Sequence, residues 1–387
     1  MSKTKIKGWI YRFLTRLYSI FHPIEKKVVF SSFGGKQYSD NPRSISEQLH
    51  ELFPEFNIVW MLKDTQDSFG MIPEYVKKVK ISRKSIIHER ATAFCVVTNE
   101  DVKRDVYKRK GQMYIQTWHG DIGLKKVLYD LPEGLLSKDF EVCDNRVTDL
   151  CIAASDYGVN QYRTAFRYNG EILKVGMPRN DRLITQNKEH ASVIKNAIGI
   201  PKEAKVLIYA PTFRDNLSQK QSVLIDLKSV VALLNREGEE WVCMIRAHSS
   251  SSGISFECDN KIFYNVSNYP DMADLLEISD MLITDYSSCA GDFIRKRKPT
   301  ILAVFDKEDY LQNCRELPFD FREVGFITAE NQVELERILS SYTLIDYEKN
   351  ADIIIDYFNI VETGKAAQKI CLRINERYEQ LYKNHKL

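Results

Sequence analysis

The stretch SDMLITDYSSCAGDF, residues 279–293, decides the fold. Met281-Leu-Ile-Thr284 reads as a short buried strand, Asp285-Tyr-Ser-Ser288 as a tight polar turn, and a helix opens near Cys289. The apolar run Pro299-Thr-Ile-Leu-Ala-Val304 supplies the next strand. Strand, turn, helix and strand make a βαβ unit, with its polar residues at the carboxyl end of the first strand. Ligands of open α/β sheets sit at that end. Ser287 and Ser288 are placed to cap the helix and turn its first N–H groups toward an anion such as a phosphate. The plainer alternative is an N-cap that satisfies the helix alone.

The same alternation recurs upstream. Strands are predicted at Lys205–Ala210, ending in Pro211-Thr-Phe-Arg214, and at Trp241–Ile245, ending in Arg246-Ala-His248. A short strand at Lys261–Asn265 and helices near 188–198, 225–236 and 271–277 complete this half. Three strand ends thus carry Thr212 and Arg214, Arg246 and His248, and Asp285, Ser287 and Ser288. In a parallel sheet they line one edge, which suits a diphosphate.

The first half is organised alike. Lys27–Phe33 is a strand, Gly34-Gly35 a turn, residues 43–53 a helix and Asn57–Leu62 a strand, a Rossmann-like order that lacks the GxGxxG fingerprint. Further strands are predicted at 76–81, 93–98, 112–118 and 149–154. The strand at 112–118 ends in Gln116-Thr-Trp-His-Gly120. An imidazole there, beside a glycine that admits a ligand, is a natural base for a hydroxyl nucleophile; the alternative is a structural histidine. Gly120, Lys125 and Lys126 form an edge suited to an anionic acceptor. Residues 172–183 are punctuated by Gly and Pro and hold Arg179, Asn180 and Asp181 together. They read as the crossover between domains, either a polar linker or donors beside a ligand phosphate. The chain from about 330 reads as helices, the last of which could cross back.

Composition narrows the class. The 387 residues are 44% hydrophobic and 28% charged, which suits two globular domains. No apolar run reaches the ~20 residues of a membrane span, and no signal peptide is evident. Eight scattered cysteines without a CxxC pair read as reduced structural thiols of a cytoplasmic protein. The net charge of +2 divides into +6 over residues 1–30 and −4 over the rest, so a general nucleic-acid surface is excluded. Within residues 4–22, Ile6, Trp9, Ile10, Phe13, Leu14, Leu17, Ile20 and Phe21 fall at helical spacing, with Lys5, Arg12 and Arg16 off that stripe. Such a helix suits an anionic membrane surface; packing on the protein's own core or on a partner is the alternative.

Together, Gln116–Gly120, Gly176–Asp181, Tyr209–Arg214, Arg246–His248 and Leu282–Ser288 with Asp292-Phe293 resemble the CDP-glycerol glycerophosphotransferase family of teichoic acid synthesis. The resemblance spans residues 116–293. It implies a GT-B-like α/β fold, two Rossmann-like domains facing across a cleft, with an amphipathic helix over 1–24, an acceptor domain over 25–180 and a CDP-donor domain over 181–387. It implies that His119 is the general base, that His248 lies beside the donor diphosphate, and that Asp285, Ser287 and Ser288 form the donor-binding turn; Arg179, Asn180, Asp181, Thr212, Arg214, Arg246 and Thr284 are the further donor-side candidates. One departure is Asp121-Ile-Gly after His119-Gly120, where many relatives have Thr-Pro; it bears on the acceptor side.

The implied reaction moves a polyol phosphate from CDP-glycerol or CDP-ribitol to a hydroxyl of an undecaprenyl-diphosphate-linked acceptor, releasing CMP, at the cytoplasmic face of the membrane. No cofactor and no metal are expected, since no Asp-x-Asp occurs, and a homo-oligomer is compatible with the reading. Two rivals are a GT-B nucleotide-sugar transferase and a non-catalytic membrane scaffold.

Overall fold

The computed structural model describes residues 3–100, 106–132, 145–212, 225–247, 258–313 and 316–382. The chain forms two compact units. The first comprises residues 1–119, 128–181 and 361–387, and the second comprises 120–127 and 182–360.

The first unit is built on seven parallel strands. They are β1 (Glu25–Ser31), β2 (Asn57–Leu62), β3 (Lys77–Lys80), β4 (Ala93–Thr98), β5 (Met113–Gln116), β6 (Leu150–Ala153) and β7 (Glu171–Lys174), in the order β3-β2-β1-β4-β5-β6-β7. Every residue of β4 is buried, so its sequence AFCVVT is apolar without alternation, as a central parallel strand covered on both faces requires. The order reverses between β1 and β4. That is the topological switch point of this sheet, where the chain leaves a crevice at the strands' carboxyl ends. Trp60 is fully buried against Phe30 and Tyr38, with ring centroids 5.8 and 4.5 Å away. The helix Ala366–Tyr382 returns to this core: Ile370, Cys371 and Ile374 are buried in it, and Tyr378 meets Phe94 edge-on at 5.1 Å.

The second unit holds six parallel strands. They are β8 (Lys205–Ala210), β9 (Trp241–Ile245), β10 (Phe263–Asn265), β11 (Met281–Thr284), β12 (Thr300–Ala303) and β13 (Ile327–Ala329), in the order β10-β9-β8-β11-β12-β13. Here the switch point lies between β8 and β11, the strand with which the sequence reading began.

Two strands differ from the sequence expectation. β7 overlaps the start of the stretch read as a linker, and β13 precedes the region read as helical only. Four and three residues are too few for a period-two pattern to declare itself, and β7 is an edge strand with an exposed or half-buried face. The helix expected from Arg43 begins at Asp40, with Pro42 in its first turn where a missing N–H costs nothing. Cys95, Cys151, Cys243, Cys289 and Cys371 are buried free thiols and Cys258 is half-buried; Cys143 and Cys314 lie outside the described residues. Burial pushes the Cys289 thiol up to about 11, which keeps it protonated and inert.

The helix Lys3–Phe21 lies on the first unit by one side only. Thr15 is buried, the Tyr18 hydroxyl is 2.8 Å from His88 Nδ1, and Arg109 donates to the carbonyls of Ser19 and His22 at the helix end. Trp9, Ile10, Phe13, Leu14, Leu17, Ile20 and Phe21 are exposed. Among the described residues, no helix is long and apolar enough to cross a membrane.

Candidate active site

In the first unit, three strand ends converge on His119. The imidazole follows β5 and is half-buried. Its Nδ1 lies 2.8 Å from the backbone carbonyl of Asn99, the residue after β4. A carbonyl only accepts, so Nδ1 donates the hydrogen bond and Nε2 is the other ring nitrogen. Phe33, after β1, packs on the ring at 5.5 Å and Trp118 covers it at 4.0 Å.

Asn99 is itself fully buried and ties the ends of β4 and β1 together. Its amide donates to Ser32 Oγ at 3.0 Å, and its carbonyl oxygen accepts from the Phe33 N–H at 2.9 Å. Trp118 has φ of +52°, a left-handed conformation that costs a non-glycine residue about 1–2 kcal/mol. Its N–H donates to Gln116 and its carbonyl accepts from Asn41 Nδ2, so its backbone is held on both sides. Strain enforced beside His119 marks a candidate functional site. Sequence reasoning missed Asn99 and Asn41. The polar triplet Thr98-Asn99-Glu100 closing an apolar strand was the available signal for the first.

Arg179, Asn180 and Asp181, expected on the donor side, all make contacts within this unit. The Arg179 guanidinium is buried against Asp40 at 3.2 Å, and the Arg179 backbone N–H donates to Asn41 Oδ1 at 3.1 Å. Asn180 donates to Glu362 at 3.4 Å. Both oxygens of Asp181 accept from the N–H groups of Ala366 and Ala367, capping the returning helix. These partners lie far away in sequence, where the local pattern does not reveal them.

In the second unit, the ends of β8 and β11 are clamped across the switch point. Asp285 Oδ1 accepts from the Thr212 N–H at 2.8 Å, the Thr212 hydroxyl at 2.7 Å and the Tyr286 N–H at 2.7 Å. Tyr286 is fully buried, stacked on Tyr310 at 3.7 Å, with its hydroxyl 3.1 Å from Asp306. The turn is therefore rigid, and Ser287 and Ser288 stay half-buried at its rim.

The expected capping changes in detail. Ser287 Oγ accepts from the Cys289 N–H at 3.4 Å, whereas Ser288 sits in helical conformation and makes no side-chain cap. The helix that follows, Cys289–Phe293, is only five residues long. Thr284 turns its hydroxyl into the sheet, donating to the Ala210 carbonyl at 2.6 Å. Arg246 donates to the carbonyls of Val266 and Tyr269, and burial pulls its guanidinium below the usual value against the pull of Asp271. Arg214 and His248 lie outside the described residues.

Residues 120–127 belong to the second unit. Gly120 lies against Ser288, where a Cβ would come within 3.0 Å of the hydroxyl oxygen. Asp121, the departure from the expected Thr-Pro, is buried with Arg295 at 3.5 Å. Ile122 packs on Gly291. Lys125 is half-buried, and Lys126 pairs with Glu316 at 2.5 Å. Elsewhere in this unit His190, Asp274 and Glu277 cluster, but Asp274 is held by Arg182 and Tyr269, and His190 Nδ1 lies 2.8 Å from Glu277.

Comparison with known proteins follows the same lines. A teichoic acid poly(glycerol phosphate) polymerase of Bacillus spizizenii is 30% identical over 399 residues, covering 95% of this chain and 98% of that one. A protein of the same name from Staphylococcus epidermidis is 31% identical over 366 residues; the match covers 89% of this chain and 50% of the other, so this chain spans half of that relative's length. The solved structure of the wall teichoic acid polymerase TagF soaked with CDPG superposes with a TM-score of 0.82 at 28% identity, covering 96% of this chain and 93% of that one. The two α/β units are accordingly GT-B-like. The profile of the CDP-Glycerol:Poly(glycerophosphate) glycerophosphotransferases matches residues 14–376, and the chain belongs to that family.

Proposed function

We propose that this protein transfers a polyol phosphate, glycerol phosphate in the first place, from a CDP-linked donor to a hydroxyl of a lipid-linked acceptor, in the synthesis of teichoic acid or a related surface polymer. The observation that carries the proposal is His119. Its proton is held on Nδ1 by the Asn99 carbonyl, which leaves Nε2 as a base, in a chain matched by the family over residues 14–376.

The acceptor oxygen attacks the phosphorus that bears the polyol. A P–O bond forms, the bond to CMP breaks, and His119 takes the hydroxyl proton, a role worth about 10²–10⁴ in rate. The donor is assigned to the second unit, with the clamped Thr212–Asp285 turn and the Ser287 and Ser288 hydroxyls toward its phosphates. His248 and Arg214 are assigned there by the family resemblance. Phosphoryl transfer asks mainly for positioning and charge compensation, so no metal is invoked. The acceptor is expected to be an undecaprenyl-diphosphate-linked chain. The exposed apolar side of helix Lys3–Phe21, with Arg12 and Arg16 on the same helix, supports peripheral attachment to an anionic leaflet.

The test is a screen of CDP-glycerol, CDP-ribitol and UDP-sugars with a lipid-linked acceptor, following CMP release and product length, with and without EDTA. His119→Ala should lose at least about 10²-fold in rate while calorimetric CDP binding stays unchanged. CMP release by no donor would leave the scaffold reading. Turnover with a UDP-sugar would leave the sugar-transferase reading. Sensitivity to EDTA would overturn the metal-free mechanism.

A further inference from the structure

We infer that Asp121 is a positioning residue for the base: through a buried pair with Arg295 it fixes residues 120–122, which follow His119 directly, on the helix after the donor turn. This rests on the transferase reading above. The boundary between the two units falls on the His119–Gly120 peptide bond, so the chain passes from the base into the second unit in a single step.

Three successive residues meet one helical face there. The helix Cys289–Phe293 runs on into a tight helical turn at Ile294–Lys296. Ser288, Gly291 and Arg295 are spaced i, i+3 and i+7 along it, which puts them on one face. Gly120 lies on Ser288, where an added Cβ would stand 3.0 Å from the hydroxyl oxygen and 3.2 Å from the Ser288 Cβ. Ile122 lies on Gly291, where an added Cβ would stand 3.0 Å from the Ile122 Cβ. Asp121, between them, reaches Arg295 at 3.5 Å, and both side chains are 1% exposed. Arg295 also donates to the Gly291 carbonyl, one helical turn back.

The contacts divide the work. A glycine on each partner lets the two backbones approach closely. Apolar packing is non-directional, so it sets their separation and not their register. The ion pair sets the register, because a slide of one residue would leave two buried charges apart. A buried pair adds little net stability, so position is what this one supplies. All eight residues from Cys289 to Lys296 are buried, which makes the helix the fixed partner and residues 120–122 the part that is held. His119 is thus held twice, its ring by the Asn99 carbonyl and its backbone through Gly120.

The test uses the full chain with Asp121→Asn and with Gly291→Ala. Asparagine keeps the shape and removes the charge. Alanine favours the helix and pushes residue 122 off it, so a folding defect in the first variant leaves the second informative. CMP release from CDP-glycerol with a lipid-linked acceptor gives kcat, calorimetry gives CDP affinity, and hydrogen exchange reports on residues 119–123. Each variant should lower kcat at least about tenfold and speed exchange in that segment, with CDP affinity unchanged. In a His119→Ala background, Asp121→Asn should have no further effect on rate, because its effect passes through the base. An equal loss with and without the histidine would make the pair merely structural and overturn the inference. Unchanged kcat in both folded variants would overturn it too, as would a loss of CDP affinity that matches the loss of rate. In each of these cases the unaltered chain still releases CMP, whereas an unaltered chain that releases none overturns the transferase reading itself.

Discussion

His119 is oriented by a backbone carbonyl, and that carbonyl is set by the Asn99 side chain, which reaches Ser32 67 residues away. A backbone carbonyl only accepts, so it fixes which ring nitrogen donates and how the imidazole is turned. Asn99→Ala removes both amide contacts and leaves Ser32 and the Phe33 N–H to find other partners. It should destabilise the protein by about 1–3 kcal/mol and lower kcat by at least about tenfold, with CDP affinity intact. Steady-state kinetics, denaturant unfolding and calorimetry on one preparation check this; unchanged kcat would mean the loop holds its shape without the amide. The histidine was legible because an imidazole and a glycine after a strand form a local pattern. Asn99 was not, because a polar residue after a strand is ordinary until its distant partner is known. Arg179 has a partner that no local pattern shows: it bonds Asp40, 139 residues away.

At the scale of elements, helix Lys3–Phe21 has two unlike sides. Thr15, Tyr18 and the Arg109 cap bind it to the body, so removing the whole helix would confound stability with surface binding. Replacing Trp9, Phe13 and Phe21 together by serine touches only exposed positions, at 65, 52 and 76% exposure. Each large apolar side chain is worth roughly 1.5–3 kcal/mol when transferred from water. The triple variant should therefore bind anionic vesicles more than about tenfold more weakly while its melting temperature holds. Co-sedimentation with and without anionic lipid, at two salt concentrations, is the measurement. A drop in melting temperature with unchanged sedimentation would mean that these residues pack on protein. The apolar stripe was readable from helical spacing alone; which side faces the body was not, since Tyr18 and Thr15 carry no periodic signal.

At the scale of the whole molecule, each unit has its own sheet and core, yet the first is assembled from three separate pieces of chain. Its last piece supplies Ile370, Cys371 and Ile374 to the core, and Asp181 caps the helix that carries them. Ending the chain at Ile360 should remove several kcal/mol from the first unit, at roughly 1.5–3 kcal/mol per buried side chain, and leave the second folded. Trp60 and Trp241, buried in the first and second units, report on each separately once the other tryptophans are replaced. Retention of native Trp60 emission in the truncated chain would show that the helix is dispensable. The amino-acid sequence by itself determined the α/β class, the central strands and the placement of His119 and Asp285 at strand ends, because continuous apolar runs broken by polar turns are local signals. Only the tertiary structure decided the order of the strands, the two switch points, the short strands β7 and β13, and the partners that turn Asn99 and Asp285 into organisers of their loops. The physical reason is that strand pairing and buried polar satisfaction join residues tens to hundreds of positions apart, and no window of sequence contains both members of such a pair.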